Sequence, residues 1–314
     1  MVMLMNNITA KDVAKLILEN DDILIISHKS PDGDTLGCAF SLYYSLCQIG
    51  KNARIECSDE FPKKYDYLYK DYSPKEFEPK FIIAVDIADV QLFGKKTEKY
   101  AKDVDVCIDH HPSNTHYANK TLLNSSAAAA CEVMYEVLTE LGVTIDKNIA
   151  NAIYTGVLTD TGCFKYSNTS AVTHIIAARM IEAGADYAEI NKDLFDTKSK
   201  ARLVLEKEVI NNLKYYFDDK CAVINISQEL LEKTGATEFE IDGLSALPRQ
   251  IEGVEVGITL REKEDGYKIS LRTTSYVNAC EICKALGGGG HARAAGCFIE
   301  GDLETVTNTI IEAV

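Results

Sequence analysis

The sequence predicts a two-domain α/β protein, with a parallel sheet in the first domain and a smaller mixed sheet in the second. The chain has 314 residues, which is more than one hydrophobic core usually covers. Short apolar runs alternate with amphipathic stretches up to about residue 195, a pattern typical of strands connected by helices. Beyond residue 216 several strand-like runs follow one another closely, which favours a mixed sheet.

The first domain contains four short apolar runs that are rich in β-branched residues and bounded by turn residues. Such runs are typical of buried strands. We predict strands over residues 23–27, 53–57, 81–86 and 104–109. The stretch between the first two has helical spacing and ends on Gly50, a common helix stop. Four helical patterns come after the last strand, over residues 127–141, 147–159, 170–183 and 186–195.

A charged amphipathic stretch separates the two domains. We place the first domain at residues 1–196, a helical linker at 197–216 and the second domain at 217–314. In the second domain, "CAVINIS", "GVEVGITLRE" and "YKISLRT" are typical of strands, and "REKEDGYKI" contains a hairpin turn. The segments "YVNACEICKAL" and "DLETVTNTIIEAV" have the spacing of helices.

The charge of the chain limits the classes of function. A formal net charge of −15 argues against a protein that binds long nucleic acids, because such binding needs many Lys and Arg contacts to phosphates. A small anionic substrate held by a few cationic groups or metal ions is compatible with it. No apolar run is long enough for a membrane span, and the N-terminal segment lacks the pattern of a signal peptide. We therefore expect a cytoplasmic protein.

The ten cysteines are scattered singly through apolar segments, and we interpret them as reduced core residues. The spacing of Cys280 and Cys283 in "CEIC" is also that of a metal site or a redox disulfide. A zinc site needs a second pair of ligands at matched spacing. We therefore interpret "CEIC" as the packed face of a helix.

Acidic and imidazole side chains follow the predicted strands of the first domain. His28, Asp32 and Asp34 come directly after the first strand. The further candidates at strand or helix ends are Asp86, Asp109, His110, His111 and Asp160. The carboxyl ends of the strands are the usual ligand site of a parallel sheet. A histidine combined with several carboxylates suits divalent ions such as Mn²⁺.

Each of these clusters also has a purely structural interpretation. Asp34 is well placed to cap the helix that follows the first strand, and an isolated histidine is more often structural than a ligand. Four separate segments, however, supply side chains of one chemical type. Such groups are rarely buried without a partner, so we predict that they form one site.

These segments resemble a known family. "SHKSPDGD", "AVDIAD", "DHHPSN" and "TDTG" are similar to the four motifs of the DHH phosphoesterases. "GGGGHARAAG" resembles the signature of the small domain that accompanies them. The five motifs occur in order over about residues 20–300. With these two domains and no further one, the chain most resembles the oligoribonucleases and 3′-phosphoadenosine-5′-phosphate phosphatases of the family, the nanoRNases.

The resemblance implies a hydrolase with two divalent ions, Mn²⁺ in preference to Mg²⁺ because histidine is among the ligands. One ion would be bound by His28, Asp32 and Asp86, and the other by Asp34, Asp86, His110 and Asp160. Asp86 would bridge the ions, which would activate a hydroxide for attack on phosphorus. The implied catalytic residues are Asp86, His110 and His111, and Asp109 would support them without binding a metal ion.

The resemblance also implies that the second domain binds the substrate. Arg272, at the end of a predicted strand, would bind a phosphate with both arms of its guanidinium. The glycine run would bring backbone N–H groups close to an anion, because no Cβ stands in the way. The residues implied are Gly288, Gly289, Gly290 and His291. By position alone, a surface arginine and a flexible glycine joint are the simpler interpretations.

We predict hydrolysis of RNA oligomers of two to five nucleotides to mononucleotides, and of 3′-phosphoadenosine 5′-phosphate to AMP. The partners would be these short RNAs and small nucleotides, with no long duplex and no membrane, and a homodimer is compatible with the sequence. The nearest alternative is a phosphodiesterase of cyclic di-AMP or of its linear dinucleotide product, because it shares every motif quoted. An alternative of another class is an inactive nucleotide-binding sensor, which the intact metal positions disfavour.

Overall fold

The computed structural model describes residues 7–241 and 243–314. The chain divides into two compact units, and the division falls between Thr197 and Lys198. Across the described residues, no helix combines the length and the apolar character that crossing a membrane requires.

The first unit is built on a parallel sheet. Its strands are β1 (Ile23–Ile26), β2 (Ala53–Glu56), β3 (Phe81–Val85), β4 (Val106–Asp109) and β5 (Lys120–Leu123). They lie in the order β2-β1-β3-β4-β5, and all are parallel. Its helices are α1 (Ala10–Glu19), α2 (Gly33–Gln48), α3 (Asp66–Tyr69), α4 (Ala130–Leu141), α5 (Lys147–Asp160), α6 (Ala171–Glu182) and α7 (Tyr187–Asn191), the last followed by a π-helical turn, Lys192–Asp196.

Both faces of this sheet are covered, and the burial of β1 shows it. Ile23 and Ile25 pack into a large cluster that contains side chains of α1, α2, α4 and α5. Leu24 and Ile26 point the other way, into a smaller cluster around Phe93. A strand buried on both faces reads as a continuous apolar run, which is why the sequence "ILII" predicted it.

Helices α2 and α5 pack unusually closely, and two glycines permit this. A Cβ on Gly37 would lie 2.5 Å from the carbonyl oxygen of Ala152, and a Cβ on Gly156 would lie 2.7 Å from Oδ1 of Asp34. Real Cβ atoms are not found at such distances from other atoms. The close packing brings the first turn of α2, with Asp34, near the end of α5.

The second unit contains a mixed sheet, as predicted. Its strands are β6 (Lys214–Tyr216), β7 (Cys221–Ile226), β8 (Val256–Lys263), β9 (Gly266–Thr273), β10 (Gly289–His291) and β11 (Ala294–Glu300). Their order is β10-β11-β9-β8-β7-β6, and only β7 and β8 are parallel neighbours. Its helices are α8 (Lys200–Asn211), α9 (Gln228–Thr234), α10 (Glu238–Ile241), α11 (Ala279–Ala285) and α12 (Leu303–Ala313).

The two faces of the second sheet have different surroundings. One face packs against α11 and α12 in a cluster that includes Ile258, Ile269, Cys283 and Ile310. On the other face, β7 is covered by α8 and α9. The predicted linker, residues 197–216, thus contains α8, which buries Leu205 in this second cluster, and the edge strand β6.

The predicted strands of the first sheet and the predicted strands 221–227, 253–262 and 267–273 are confirmed within a few residues. Four strands were not predicted, namely β5, β6, β10 and β11. Each has a physical reason. β5 has only two buried residues and β6 has none, so neither forms the apolar run by which a buried strand is recognised. β10 and β11 lie in a glycine- and alanine-rich segment, which has low strand propensity.

Candidate metal centre

Three neighbouring strands deliver the predicted ligands to one edge of the first sheet. β1, β3 and β4 are adjacent, and at their carboxyl ends stand His28, Asp86 and His110. Asp86 is 3% exposed and has a left-handed backbone with φ of 58°. Its N–H donates to the carbonyl of Ile108 at 2.9 Å. Strained backbone of this kind in a non-glycine residue is commonly found at functional sites.

The first turn of α2 adds two carboxylates. Asp32 is the N-cap of this helix and accepts hydrogen bonds from the N–H groups of Asp34 and Thr35, a common role for aspartate. Asp34 is fully buried. Its two carboxylate oxygens accept from the N–H groups of Ala130 at 2.6 Å and Cys131 at 2.9 Å. These donors form the N-terminus of α4, which favours a negative charge.

One group of side chains surrounds His28. Its Nε2 lies 3.6 Å from Oδ1 of Asp32 and 3.5 Å from Oδ2 of Asp86. Its Nδ1 lies 2.8 Å from the carbonyl oxygen of Lys29. Because a carbonyl oxygen only accepts, the neutral ring carries its proton on Nδ1, and the lone pair of Nε2 points at the carboxylates. These three residues form one potential metal-binding group.

A second group surrounds His110. Its Nε2 lies 3.3 Å from Oδ2 of Asp160, 3.8 Å from Oδ2 of Asp34 and 3.7 Å from Oδ1 of Asp86. Its Nδ1 is 3.2 Å from the carbonyl oxygen of Ala127, so the same argument directs the lone pair of Nε2 into the group. Asp160 is the last residue of α5. Asp34, His110 and Asp160 form a further potential metal-binding group.

Asp86 lies between the two histidines and faces each with a different carboxylate oxygen, Oδ2 toward His28 and Oδ1 toward His110. Two buried atoms at this junction, Oδ1 of Asp86 and Nε2 of His110, have no hydrogen-bond partner among the described residues. The distances of 3.3–3.8 Å between the histidine nitrogens and the carboxylate oxygens are too long for good hydrogen bonds. They suit ligand atoms that share a small divalent cation at about 2.1 Å. Carboxylate and imidazole ligands are appropriate to Mn²⁺ or Mg²⁺.

The protonation of the site reflects the crowding of negative charge. Burial, together with the charge of Asp34, raises the pKa of Asp86 to about 7. Burial and the charges of Asp34 and Asp86 hold the pKa of Asp160 well above its ordinary value. For His28, burial alone would lower the pKa, but Asp32 and Asp86 outweigh it and raise the pKa to about 11. The metal-free site therefore retains protons that a bound cation would displace.

Beside the two groups, Asp109 holds His111 in place. Asp109 is the last residue of β4 and is fully buried. Its Oδ1 lies 2.8 Å from Nδ1 of His111, and its Oδ2 accepts from the side-chain amide of Asn114 at 2.6 Å. Nδ1 of His111 is also 3.5 Å from Oδ1 of Asp86. Burial opposes the charged imidazole, but Asp109 and Asp86 raise the pKa of His111 to about 9.

The structure thus brings together all the residues of the first unit that the sequence singled out. Sequence reasoning missed the groups that orient them. These are the carbonyls of Lys29 and Ala127, the N-terminus of α4 and the amide of Asn114. Asn114 lies inside the quoted motif "DHHPSN", so its position was a usable signal. The backbone groups could not be recognised from the sequence, because every residue has the same backbone atoms whatever its side chain.

In the second unit, Arg272 and His291 lie close to each other in the sheet. The glycine run and the residues that follow it form a β-hairpin, in which β10 pairs with β11. His291 is opposite Ala294, and Ala294 is opposite Arg272 on β9. Paired residues of antiparallel strands lie on the same face of a sheet. Arg272 and His291, together with Gly289, therefore share one face and one end of this sheet.

The glycines of this hairpin differ in whether their surroundings leave room for a Cβ atom. A Cβ on Gly288 would lie 2.5 Å from Cβ of Cys297, and a Cβ on Gly290, where φ is 143°, would lie 2.6 Å from the carbonyl oxygen of Ala294. Both glycines are required by packing. A Cβ on Gly289 would meet no described atom within 4 Å. Packing therefore does not explain why position 289 is glycine.

Comparison with known proteins places the chain in a family. The model described as the DHH family, N-terminal domain, matches residues 22–157, and that of the DHHA1 domain matches residues 218–314. The bifunctional oligoribonuclease and PAP phosphatase NrnA of Thermus thermophilus is 33% identical over 300 residues, which cover 93% of this chain and 89% of that protein. The chain belongs to the DHH family. It is a hydrolase that acts on phosphoester bonds.

Further similarities of this DHH phosphoesterase agree with the assignment. The probable bifunctional oligoribonuclease and PAP phosphatase NrnA of Streptococcus mutans is 28% identical over 290 residues, or 91% of this chain and 92% of that one. The crystal structure of an exopolyphosphatase-related protein from Bacteroides fragilis matches with a TM-score of 0.88 and 26% identity. It covers 97% of this chain and 95% of that chain. The predicted α/β fold is therefore that of the family.

Metal binding by this DHH phosphoesterase is expected to strengthen as the pH rises from about 6 to about 8. The folded pKa of Asp86, about 7, lies above its ordinary value of 3.8. The protonated form therefore stabilises the metal-free fold at low pH, and this contribution is lost as the pH rises through about 7. Divalent cations bind the ionised carboxylate. Calorimetric titration with Mn²⁺ at several pH values should show a rising affinity and a release of protons.

The control for this titration is Asp89→Asn, which removes a carboxylate three residues from Asp86. Asp89 belongs to neither of the two groups and its side chain caps a short helical turn. This variant should keep the pH dependence. An affinity for Mn²⁺ that is the same at pH 6 and pH 8 in the unaltered protein would contradict the account of the buried protons.

Proposed function

We propose that this DHH phosphoesterase hydrolyses short RNA oligomers and 3′-phosphoadenosine 5′-phosphate at a centre of two divalent ions, with Mn²⁺ preferred. The observation that carries the proposal is the position of Asp86, whose two oxygens face the two ligand groups separately. One ion would be held by His28, Asp32 and Asp86, and the other by Asp34, Asp86, His110 and Asp160. The mixed imidazole and carboxylate ligands favour Mn²⁺.

When bound, such a pair of ions lowers the pKa of water and neutralises charge that develops on the phosphoryl oxygens. The chain itself supplies orientation. The carbonyls of Lys29 and Ala127 fix the rings of His28 and His110, as partners of metal-binding histidines commonly do. His111 lies beside Asp86 and is held by Asp109. With its raised pKa, the imidazolium would donate a hydrogen bond to a phosphate oxygen of the substrate.

The second unit would bind the substrate through Arg272, the glycine hairpin and His291. An arginine and a histidine on one face of the sheet offer one fixed positive charge and several N–H donors, which suit a short anion. The names of the relatives from Thermus thermophilus and Streptococcus mutans, oligoribonuclease and PAP phosphatase, support the choice of substrates. The net charge of −15 disfavours long nucleic acids.

A panel of substrates tests this proposal. With Mn²⁺ present, the protein should hydrolyse RNA dinucleotides, RNA pentanucleotides and 3′-phosphoadenosine 5′-phosphate faster than cyclic di-AMP or pyrophosphate. The variant Asp86→Asn should lose all of these activities together, by at least about a hundredfold, because both ligand groups lack an anionic member. Asparagine tolerates the left-handed backbone at this position, so the fold should persist.

Asp89→Asn is again the matched control, because it makes the same chemical change nearby and should keep full activity. Turnover of cyclic di-AMP alone, or of pyrophosphate alone, would overturn the proposed substrates. Retention of one activity by Asp86→Asn, with loss of the others, would contradict the proposal that one metal centre serves all these substrates.

Gly289→Ala should weaken substrate binding without changing stability. The added Cβ meets no described atom within 4 Å, so the melting temperature should not change, but it would hinder an anion that approaches the backbone. We expect KM for 3′-phosphoadenosine 5′-phosphate to rise several-fold. Gly290→Ala is the contrasting variant. It should lower the melting temperature, because φ there is 143° and the Cβ would be 2.6 Å from the carbonyl oxygen of Ala294. An unchanged KM in Gly289→Ala would show that position 289 lies outside the binding surface.

A further inference from the structure

The face of the second sheet that carries Arg272 continues beyond it as a row of polar and cationic side chains. On β9, Tyr267, Ile269 and Leu271 alternate into the core against α11 and α12. The residue that follows each of them is on the opposite face. These residues are Lys268, Ser270 and Arg272, of which Lys268 is exposed and the other two are half-buried.

The neighbouring strands extend this surface on both sides. On β8, Arg261 is paired with Lys268. On β11, Phe298 is paired with Lys268, and its side chain is 46% exposed. We call the residues Arg261, Lys268, Ser270, Arg272 and Phe298 the cationic strip. Paired residues lie on one face, so Phe298 is the cross-strand neighbour of Lys268.

The strip lies on the same face of the sheet as His291 and Gly289, two of the predicted substrate residues. His291 and Gly289 of β10 are opposite Ala294 and Gly296 of β11. Ala294 and Gly296 are on the same face as Phe298, because alternate residues of a strand share a face. Among the described strand positions on this face of β8, β9, β10 and β11, Glu300 is the only acidic residue. It lies beyond Phe298, opposite Gly266. Cations gathered on one sheet face are unexpected in a chain with a net charge of −15, since most of its surface repels anions.

The dimensions of the strip exceed those of one phosphate group. Lys268 and Arg272 are four residues apart on one strand, which corresponds to about 13 Å. A single phosphate at Arg272 therefore does not reach Lys268. A chain of linked nucleotides does. A cationic surface with an exposed aromatic ring is the usual combination for single-stranded nucleic acid, because cations follow the backbone and rings stack on bases.

We propose that the cationic strip binds the part of an RNA oligomer that extends beyond the phosphate held by Arg272 and His291. Lys268 contacts a backbone phosphate, and Phe298 stacks on a base. The inference rests on the proposed function, and it assigns a determinant of substrate length. RNA of about five nucleotides uses the strip, whereas 3′-phosphoadenosine 5′-phosphate, with two phosphates on one ribose, does not.

Kinetics with substrates of two lengths test the strip. Phe298→Ala should raise KM for an RNA pentanucleotide about tenfold, the effect of losing one base stacking on a ring. KM for 3′-phosphoadenosine 5′-phosphate and kcat for both substrates should not change. Lys268→Ala should raise KM for the pentanucleotide several-fold. It should also reduce the slope of log KM against log salt concentration by about 0.7, the value for one lost contact to a single strand.

The chain offers matched controls for both variants. Tyr215 on β6, the opposite edge strand, is also 46% exposed, so Tyr215→Ala removes an equally exposed ring. Lys284→Ala removes an exposed cation from α11, which covers the other face. Both should behave as the unaltered protein. Phe298→Trp keeps an aromatic ring and should keep the low KM, whereas Phe298→Leu keeps an apolar side chain and should lose it.

The outcomes separate this inference from the function on which it rests. If the unaltered protein hydrolyses neither RNA nor 3′-phosphoadenosine 5′-phosphate, the proposed function fails. If it hydrolyses both, and the Phe298 and Lys268 variants keep the pentanucleotide KM of the unaltered protein, the strip does not bind RNA. Equal increases in KM for both substrates would also overturn it, because they would indicate a general effect on the second sheet.

Discussion

Repulsion among four carboxylates at one edge of the first sheet is the constraint on which the structure of that unit depends. Asp34 and Asp86 are buried, Asp32 shares a group of potential ligands with Asp86, and Asp160 shares one with Asp34. Burying several ionised carboxylates at one place costs desolvation free energy and brings like charges together, unless a cation lies among them. The raised pKa values of Asp34, Asp86 and Asp160 express that cost. Two divalent ions would remove it and would take the place of the protons that these carboxylates otherwise retain.

The fold supports this arrangement with backbone groups. The N-terminus of α4 donates two hydrogen bonds to Asp34, and the left-handed backbone of Asp86 turns its carboxylate between the two histidines. The rings of His28 and His110 are oriented by carbonyl oxygens. Orientation by backbone leaves Nε2 of both rings directed at the carboxylates. Such preorganisation is what a metal centre requires, because its ligands are then held in place before an ion binds.

Much of this was predictable from the sequence, and the parts that were not depend on long-range strand pairing or on backbone atoms. The strands β1, β3 and β4 and the ligands at their ends were predicted, because a buried parallel strand and the polar residue that ends it are local signals. The hairpin of β10 and β11 was not, since its strand pairing depends on contacts with β9 that no short segment encodes. The N-terminus of α4 and the carbonyls of Lys29 and Ala127 were also missed, because they act through backbone atoms that every residue possesses.

We propose that Asp86 joins two ligand groups into one centre for two ions. Crystals grown with Mn²⁺ and measured above the manganese absorption edge would reveal this centre. We predict two anomalous peaks, one beside His28 and Asp32 and the other beside His110 and Asp160, with one oxygen of Asp86 at each. A single peak, or two peaks neither of which contacts Asp86, would contradict it.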